Sequence, residues 1–382
     1  AFPPPVARRE TGTGSILDLA LEEESMGDTF PRFKAAAIQA APVFLDRDAT
    51  VDKSCRLIEE AADKGAKLIA FPEVFIPAYP YWHRLDNPYR GKKYFRELVK
   101  NSVEVPSPST DRLCQWARKT QTYVIMGINE KVPETIGTIY NTNVLIDPDG
   151  QILGCHRKLV PTYIEKITWG GGDGHTLRVY DTACGKLGML NCGENTNSLA
   201  RFALVAQGEQ VHVANYPGQP LGDESKFDIR QAIEIRSAAH AFEGKLFNVV
   251  SCSVFTKDMA DLLGDTEEKK RMVSRGSNGL TAIYGPDGSR IAGPMDPNEE
   301  GMVIAEIDIE EIIDQKLQHD IAGNYNRFDV LSLNLNRRVQ KPIWLATDED
   351  EHGHENRHLL EEIKILLESL TVSADRGFRE GL

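Results

Sequence analysis

Lys186-Leu187-Gly188-Met189-Leu190-Asn191-Cys192-Gly193-Glu194-Asn195-Thr196-Asn197 is the stretch on which this chain turns. Its apolar run, Leu187 to Leu190, ends at a cysteine, and polar residues suited to opening a helix come directly after it. Next is Ser198-Leu199-Ala200-Arg201-Phe202-Ala203-Leu204-Val205-Ala206, rich in good helix formers. The order reads as strand, sharp turn, helix, with Cys192 on the turn. A thiol there stands clear of the sheet edge, and the N–H groups and dipole of the following helix are expected to favour its thiolate. Nucleophile elbows use this geometry for serine. A buried structural cysteine is the plainer alternative. Other stretches must decide.

Working outward, the segments on either side have an α/β pattern. Upstream, Phe33–Ala40 reads as a strand closed by Pro42, and Val51–Ala66 places Val51, Cys55, Ile58 and Ala62 on one helical face. Lys67–Phe71 is a short apolar strand ending in Pro72-Glu73. A strand, helix, strand opening predicts an α/β protein. The run Val74–His83 is dense in aromatics and prolines, too irregular for a core element and suited to a pocket wall or ordered loop. Thr110–Thr120 reads as a helix and Tyr123–Ile128 as a strand. Asn143–Leu153 and Leu280–Ile291 each carry Pro-Asp-Gly between apolar runs, so two hairpins are expected, one in each half of the chain. That repetition suggests a sheet-on-sheet interior.

Downstream of Cys192, strands are expected at Gln210–Ala214, Leu246–Cys252 and Val303–Ile307, with helices over Phe227–Glu243 and Ile309–His319. Residues 1–31, with Pro3-Pro4-Pro5 and a Gly/Thr stretch, read as a mobile leader with one short helix at Ile16–Glu24. A folded body is expected over 32–334. The stretch 335–382 reads as a C-terminal tail for surface or subunit contacts, with the acid run Asp348–Glu351 and a helix-like Leu359–Leu370.

Composition narrows the function classes. A formal charge of −13 argues against a nucleic-acid or anionic-membrane surface. No apolar run approaches the roughly 20 residues needed to span a bilayer. The six cysteines are scattered without C-x-x-C pairs, which supports neither a zinc site nor a disulfide framework and points to a reducing compartment, the cytoplasm. His352-Gly353-His354-Glu355-Asn356-Arg357-His358 looks superficially like a metal cluster, but it has no cysteine partner and no helix to fix its geometry. No metal and no cofactor are expected.

Three further stretches carry candidate chemistry. Glu73 stands at the carboxyl end of a strand, where α/β sheets place functional groups, although a surface acid is the bland alternative. Gly154-Cys155-His156-Arg157-Lys158-Leu159 comes after the first hairpin and could be a solvated basic face. Trp169-Gly170-Gly171-Gly172-Asp173-Gly174 lacks the G-K-[ST] ending of a phosphate loop.

Taken together, Glu73 in Phe-Pro-Glu, Lys158 in His-Arg-Lys-Leu and Cys192 in Asn-Cys-Gly-Glu-Asn resemble the catalytic triad of the nitrilase (carbon–nitrogen hydrolase) superfamily. Order and spacing agree, with 85 residues from Glu73 to Lys158 and 34 more to Cys192. The resemblance runs from about Phe33 to Leu333. Tyr79-Pro80, Trp169 with Gly172-Asp173-Gly174, and Asp320–Val330 look like the nitrilase branch itself. One position departs: many nitrilases carry tryptophan after the nucleophile, whereas this chain has Gly193.

The resemblance implies a four-layer α-β-β-α sandwich and a hydrolase converting a nitrile to a carboxylic acid and ammonia through a Cys192 thioimidate and thioester. It implies Glu73 as base, Lys158 and the Gly193 backbone N–H as stabilisers of developing charge, and Glu165 as the residue that orients Lys158. Tyr79, Trp169 and Tyr216 become candidates for the pocket wall, and a homo-oligomer, dimer or larger, up to a spiral, is expected. The same triad in relatives cleaves amides or carbamoyl groups, or stops at the amide, so these stay open as alternatives. A thiol redox sensor pairing Cys192 with Cys184 or Cys252, or a catalytically silent scaffold, is the alternative of another class.

Overall fold

Period-two alternation along short strands builds two mixed sheets that stack face to face. The computed structural model describes residues 27–220, 228–274, 276–341 and 343. Its strands begin with β1 (Arg32–Gln39), β2 (Ala66–Ala70), β3 (Tyr123–Lys131), β4 (Ile139–Ile146), β5 (Ile152–Arg157), β6 (Trp169–Gly170) and β7 (Tyr180–Thr182). They continue with β8 (Gly185–Asn191), β9 (Val211–Tyr216), β10 (Gln219–Pro220), β11 (Phe247–Cys252), β12 (Ser277–Asn278), β13 (Ala282–Tyr284), β14 (Arg290–Ala292) and β15 (Gly301–Asp308). The first sheet runs β15-β1-β2-β3-β4-β5 with β6 beside β4, and the second runs β14-β13-β11-β9-β8-β7. The last strand, β15, returns to pair antiparallel with β1 along its whole length.

Successive side chains of one strand point to opposite faces, so each sheet has two apolar faces to cover. On β1, Ala35 and Ala37 face the second sheet, where Leu187, Met189, Val213, Phe247 and Val249 meet them. Ala36 and Ile38 face outward, into a layer that includes Val51, Cys55 and Ile58 of the Arg47–Asp63 helix and Leu113 of the Pro108–Thr120 helix. The outer face of the second sheet packs Ala214, Tyr216 and Val250 against Ile229, Ile233 and Ala241 of the Ile229–Gly244 helix. The layers are helix, sheet, sheet, helix, the four-layer sandwich expected.

Local signals behave as elementary chemistry requires. Asp46 caps the first helix by accepting the Ala49 N–H at 3.0 Å. Ser107 and Thr110 close a capping box around Pro108 in the first turn of the next long helix. Both hairpins form. In the first, Asp147 accepts the Asp149 and Gln151 N–H groups and Gly150 takes a φ of 72°. In the second, Asp287 accepts the Ser289 N–H and Gly288 takes a φ of 81°. One hairpin belongs to each sheet.

Several expectations change. The run Val74–His83 is irregular as expected, yet it is buried throughout, so an irregular segment does serve as a core element. Its aromatics pack on one another, Tyr81 against Phe255 at 4.8 Å and Trp82 against Tyr94 at 5.4 Å, and these contacts cover what a regular element would have covered. The first helix buries Ala61, with Ala62 only half covered. Helices at Lys92–Asn101, Lys257–Leu263 and Glu267–Val273 were not anticipated. The helix expected over Ile309–His319 spans only Glu311–Lys316, and the one expected from Phe227 runs Ile229–Gly244.

Residues through Arg338 group as one unit, and the chain from Val339 is a second. The short helix at Ile16–Glu24, the acid run Asp348–Glu351, the helix-like Leu359–Leu370 and the cluster His352–His358 lie outside the described residues. Among the described residues, no helix is long and apolar enough to cross a membrane.

Candidate active site

Cys192 comes directly after β8 and takes a φ of 45°, the left-handed region that costs a non-glycine residue on the order of 1 kcal/mol. The chain is turned sharply there, as an elbow requires. It then makes one 3-10 stretch, Cys192–Thr196, and only afterwards a helix, Ser198–Val205, capped by Asn197 accepting the Leu199 and Ala200 N–H groups at 3.0 and 3.3 Å. The helix therefore starts beyond Asn197 and not at the thiol. Its dipole falls off within about a turn. Burial instead holds the Cys192 thiol well above its usual pKa, and the nearby Glu73 carboxylate adds to that while Lys158 opposes it. The resting sulfur is a neutral thiol, which corrects the expectation of a dipole-stabilised thiolate.

The first sheet supplies the opposing groups. Glu73 leaves the end of β2, Lys158 leaves the end of β5, and Glu165 lies on the 3-10 turn Tyr163–Ile167. Lys158 Nζ donates to Glu73 Oε1 at 2.8 Å and to Glu165 Oε2 at 2.7 Å. All three are buried. Asn141 Nδ2 also donates to Glu73 Oε1, at 2.7 Å, and Glu73 Oε2 has no hydrogen-bond partner among the described residues. The Cys192 sulfur and one carboxylate oxygen from each glutamate all lie within 4.8 Å of one another. A thiol, a free carboxylate oxygen and a fixed ammonium thus meet in one buried cluster.

Burial decides the charge states. It pushes the Glu73 carboxyl up to about 7, with Lys158 opposing and Glu165 reinforcing the rise. Burial alone would lower Lys158, but the two carboxylates more than offset it and hold the ammonium well above its usual range. Glu73 is therefore poised near neutrality beside a permanent cation. Two carboxylates and a thiol could in composition hold a metal ion, yet Lys158 already bonds both carboxylates and meets the same need for positive charge.

The pocket-wall candidates fall on both sides. Tyr79 donates its hydroxyl to Glu165 Oε1 at 2.9 Å. Trp169 packs edge-on to Tyr79 at 5.6 Å and donates its indole N–H to Asn129 Oδ1 at 2.8 Å, so it supports Tyr79. Tyr216 is fully buried in the same apolar cluster as Cys192, and the Arg236 guanidinium lies 5.8 Å from its ring.

A Cβ at Gly193 would lie 2.5 Å from Thr162 Oγ1, so Thr162 fills the space a side chain at 193 would need. His156 is bound to Glu194 at 3.1 Å, and that carboxylate more than offsets the lowering from burial to keep the imidazole above its usual pKa.

Sequence reasoning missed Glu194 and Asn141. Glu194 accepts the Leu159 N–H at 2.7 Å and the Asn191 N–H at 2.9 Å, tying the lysine loop to the elbow. Asn141 was detectable in principle, because Asn141 and Asn143 interrupt an otherwise apolar face of β4. A polar residue on a buried face needs a partner, and here the partner is Glu73.

Comparison with known proteins places these residues in context. The family model described as carbon-nitrogen hydrolase matches residues 34–316. A "Nitrilase" of Bacillus sp. (strain OxB-1) is 40% identical over 315 residues, covering 82% of this chain and 91% of that protein. An "Aliphatic nitrilase" of Rhodococcus rhodochrous is 40% identical over 314 residues, covering 81% of this chain and 84% of that one. Among solved structures, the carbon-nitrogen hydrolase from Helicobacter pylori G27 superposes with a TM-score of 0.61 at 21% identity, over 78% of this chain and 97% of that chain.

Proposed function

The chain belongs to the carbon–nitrogen hydrolase family, and from that footing we propose that it is a nitrilase, hydrolysing an organic nitrile to the carboxylic acid and ammonia. The observation that carries the nitrile reading is the 40% identity to nitrilases over most of both chains, and the buried Lys158 ammonium held between Glu73 and Glu165 beside Cys192 supplies the machinery for it. A nitrile carbon is a weak electrophile, so a soft, strong nucleophile is needed, and cysteine is the side chain that supplies one.

The steps derive from the charge states. Glu73, through its unpartnered oxygen, takes the thiol proton as the sulfur bonds the nitrile carbon and one π bond opens onto nitrogen. Lys158 and the Gly193 N–H stabilise that nitrogen, one such donor being worth about 3 kcal/mol. The proton passes from Glu73 to nitrogen and leaves a thioimidate. Glu73, now ionised, takes a proton from water as it adds to the same carbon. Glu73 then hands that proton to nitrogen, the new hydroxyl gives up its hydrogen to nitrogen as the carbon–oxygen double bond forms, and ammonia departs to leave a thioester. A second water adds its OH to the thioester carbon, releases the acid and returns a proton to sulfur. The two waters balance the overall reaction.

Glu165 holds Lys158 in place and is itself held by Tyr79 and the Thr162 N–H. The pocket wall is assigned to Tyr79 and Tyr216, with Trp169 behind Tyr79. Support for a homo-oligomer comes from Leu199, Ile235 and Phe242, exposed on the Ser198–Val205 and Ile229–Gly244 helices. Six unpaired cysteines suit a reducing cytoplasm.

Ammonia release from a panel of nitriles and their matching amides, with the carbon product identified, tests the reading. Acid from nitriles with amides nearly inert is the expected result. Turnover of amides alone would overturn the nitrile assignment while leaving the four groups in place.

A further inference from the structure

A second polar chain lies behind the elbow, outside the groups already assigned. Glu209 Oε1 meets His212 Nδ1 at 2.6 Å, and His212 Nε2 meets Asn195 Oδ1 at 2.8 Å. Glu209 Oε2 meets His240 Nε2 at 3.1 Å. The Asn195 amide nitrogen then donates to the Cys192 carbonyl at 3.2 Å and the Leu190 carbonyl at 3.3 Å. All four side chains are buried. Such a network inside a hydrophobic sandwich is costly unless every member is satisfied.

Hydrogen-bond bookkeeping fixes its polarity. Two carbonyl oxygens can only accept, so the Asn195 NH₂ faces them and its Oδ1 faces His212. That oxygen accepts, so His212 Nε2 carries a hydrogen. A second proton lies on the short bond between His212 Nδ1 and Glu209. Burial alone would raise Glu209, but His212 and the bonds from both imidazoles bring it down to about 2, so this carboxylate is ionised and accepts. Burial lowers His240 to about 4, which leaves it neutral and donating. The packing is built to admit this carboxylate: a Cβ at Gly188 would lie 1.9 Å from Glu209 Oε1.

The carbonyl at the end of the chain is the consequential one. The Cys192 C=O and the Gly193 N–H belong to one planar trans peptide, so they point in opposite directions. Fixing the carbonyl toward Asn195 aims the N–H the other way. Gly193 is also in the first turn of the 3-10 stretch, where N–H groups lack intrahelical acceptors. We propose that Asn195, His212 and Glu209 are positioning residues that aim the Gly193 N–H at the anion formed when Cys192 attacks. The inference rests on the hydrolase reading above, in which that N–H is the charge-stabilising donor.

The test compares two reactions of the same thiol, neither requiring turnover. Iodoacetamide alkylates Cys192 by displacement of iodide and puts no charge over Gly193. Butyraldehyde adds reversibly: sulfur bonds the carbonyl carbon, the C=O π bond opens onto oxygen, and the thiol proton passes to Glu73. That oxygen occupies the anion position. Its dissociation constant is read as protection of Cys192 against iodoacetamide, measured by mass spectrometry of the labelled peptide.

In Asn195→Ala and His212→Leu, aldehyde binding should weaken about tenfold or more while the alkylation rate without aldehyde stays within about twofold of wild type. His212→Gln, which can still donate to Asn195, should recover most of the aldehyde affinity. Should Asn195→Ala not fold, Asn195→Ser, too short to bridge both carbonyls, carries the same comparison. Equal loss in both reactions, or aldehyde binding unchanged, would overturn the inference. Absence of aldehyde protection in the wild type would overturn it too, leaving ammonia release to judge the hydrolase reading by itself.

Discussion

Lys158 Nζ stands 2.8 Å from Glu73 Oε1 in a pocket where both side chains are sealed from solvent. An isolated buried lysine would give up its proton; here two carboxylates keep it charged. Breaking one partner of a buried pair leaves an uncompensated charge, which costs about 3–5 kcal/mol. The site is thus held together by the groups that the chemistry uses.

If that chemistry is correctly assigned, Cys192→Ala should abolish ammonia release and leave the fold unchanged by circular dichroism. Glu73→Gln and Lys158→Met should each lose several orders of magnitude in kcat. Substantial release by the cysteine variant would sink the mechanism, and near-wild-type rates in either of the others would mean that residue's role is misassigned.

The pH profile should track Glu73. Burial raises this carboxyl to about 7, and only its ionised form can take the thiol proton. Wild-type kcat/KM should therefore fall as pH drops through about 7, tenfold per unit on the acid side. A profile flat between pH 6 and 8 would rule out Glu73 as the titrating base.

Gly127→Ala tests how the Glu73 loop is seated. A Cβ at Gly127 on β3 would lie 2.1 Å from the Pro72 carbonyl and 2.6 Å from the Val74 nitrogen. Backbone on both sides of Glu73 must then shift. We expect kcat to fall at least 100-fold, with a stability loss of about 1–3 kcal/mol by thermal melting. Wild-type kinetics would show that the loop tolerates displacement.

His83 should mark the acid side of stability. Burial lowers it to about 4 from its ordinary 6.5, so it is neutral in the fold. As pH falls the unfolded chain takes up the proton first. The stability this contributes is complete above about 6.5 and is lost as pH falls toward 4, on the order of 3 kcal/mol in all. In His83→Gln the drop in Tm between pH 6.5 and 4 should be visibly shallower than in wild type. Identical slopes would assign the loss to other groups.

Much of this architecture was legible because apolar runs and turn residues act locally. The hairpin at Asp147–Gly150 and the strands around Cys192 are written in neighbouring residues. The Val74–His83 segment was not legible, because its burial comes from ring packing against residues far away, such as Phe255 and Tyr94. The thiol's charge state was misjudged for a related reason. The helix was placed correctly at Ser198, but its dipole was credited to a thiol six residues upstream, and burial beside Glu73 is a property of tertiary structure. The Asn195–His212–Glu209 chain joins the elbow to β9 and the turn before it; Glu209 and His212 are close in sequence, but only the fold brings Asn195 to them.

The placement of Glu73 and Lys158 on one sheet and Cys192 on the other has a thermal consequence. Neither sheet holds a complete set of reacting groups, so a chain whose layers have parted retains no residual activity. Heat inactivation and the loss of tertiary packing should then share one midpoint. The edge strand β15, which joins β1 only after the 261 residues from 40 to 300, delays that competence until most of the chain has been synthesised.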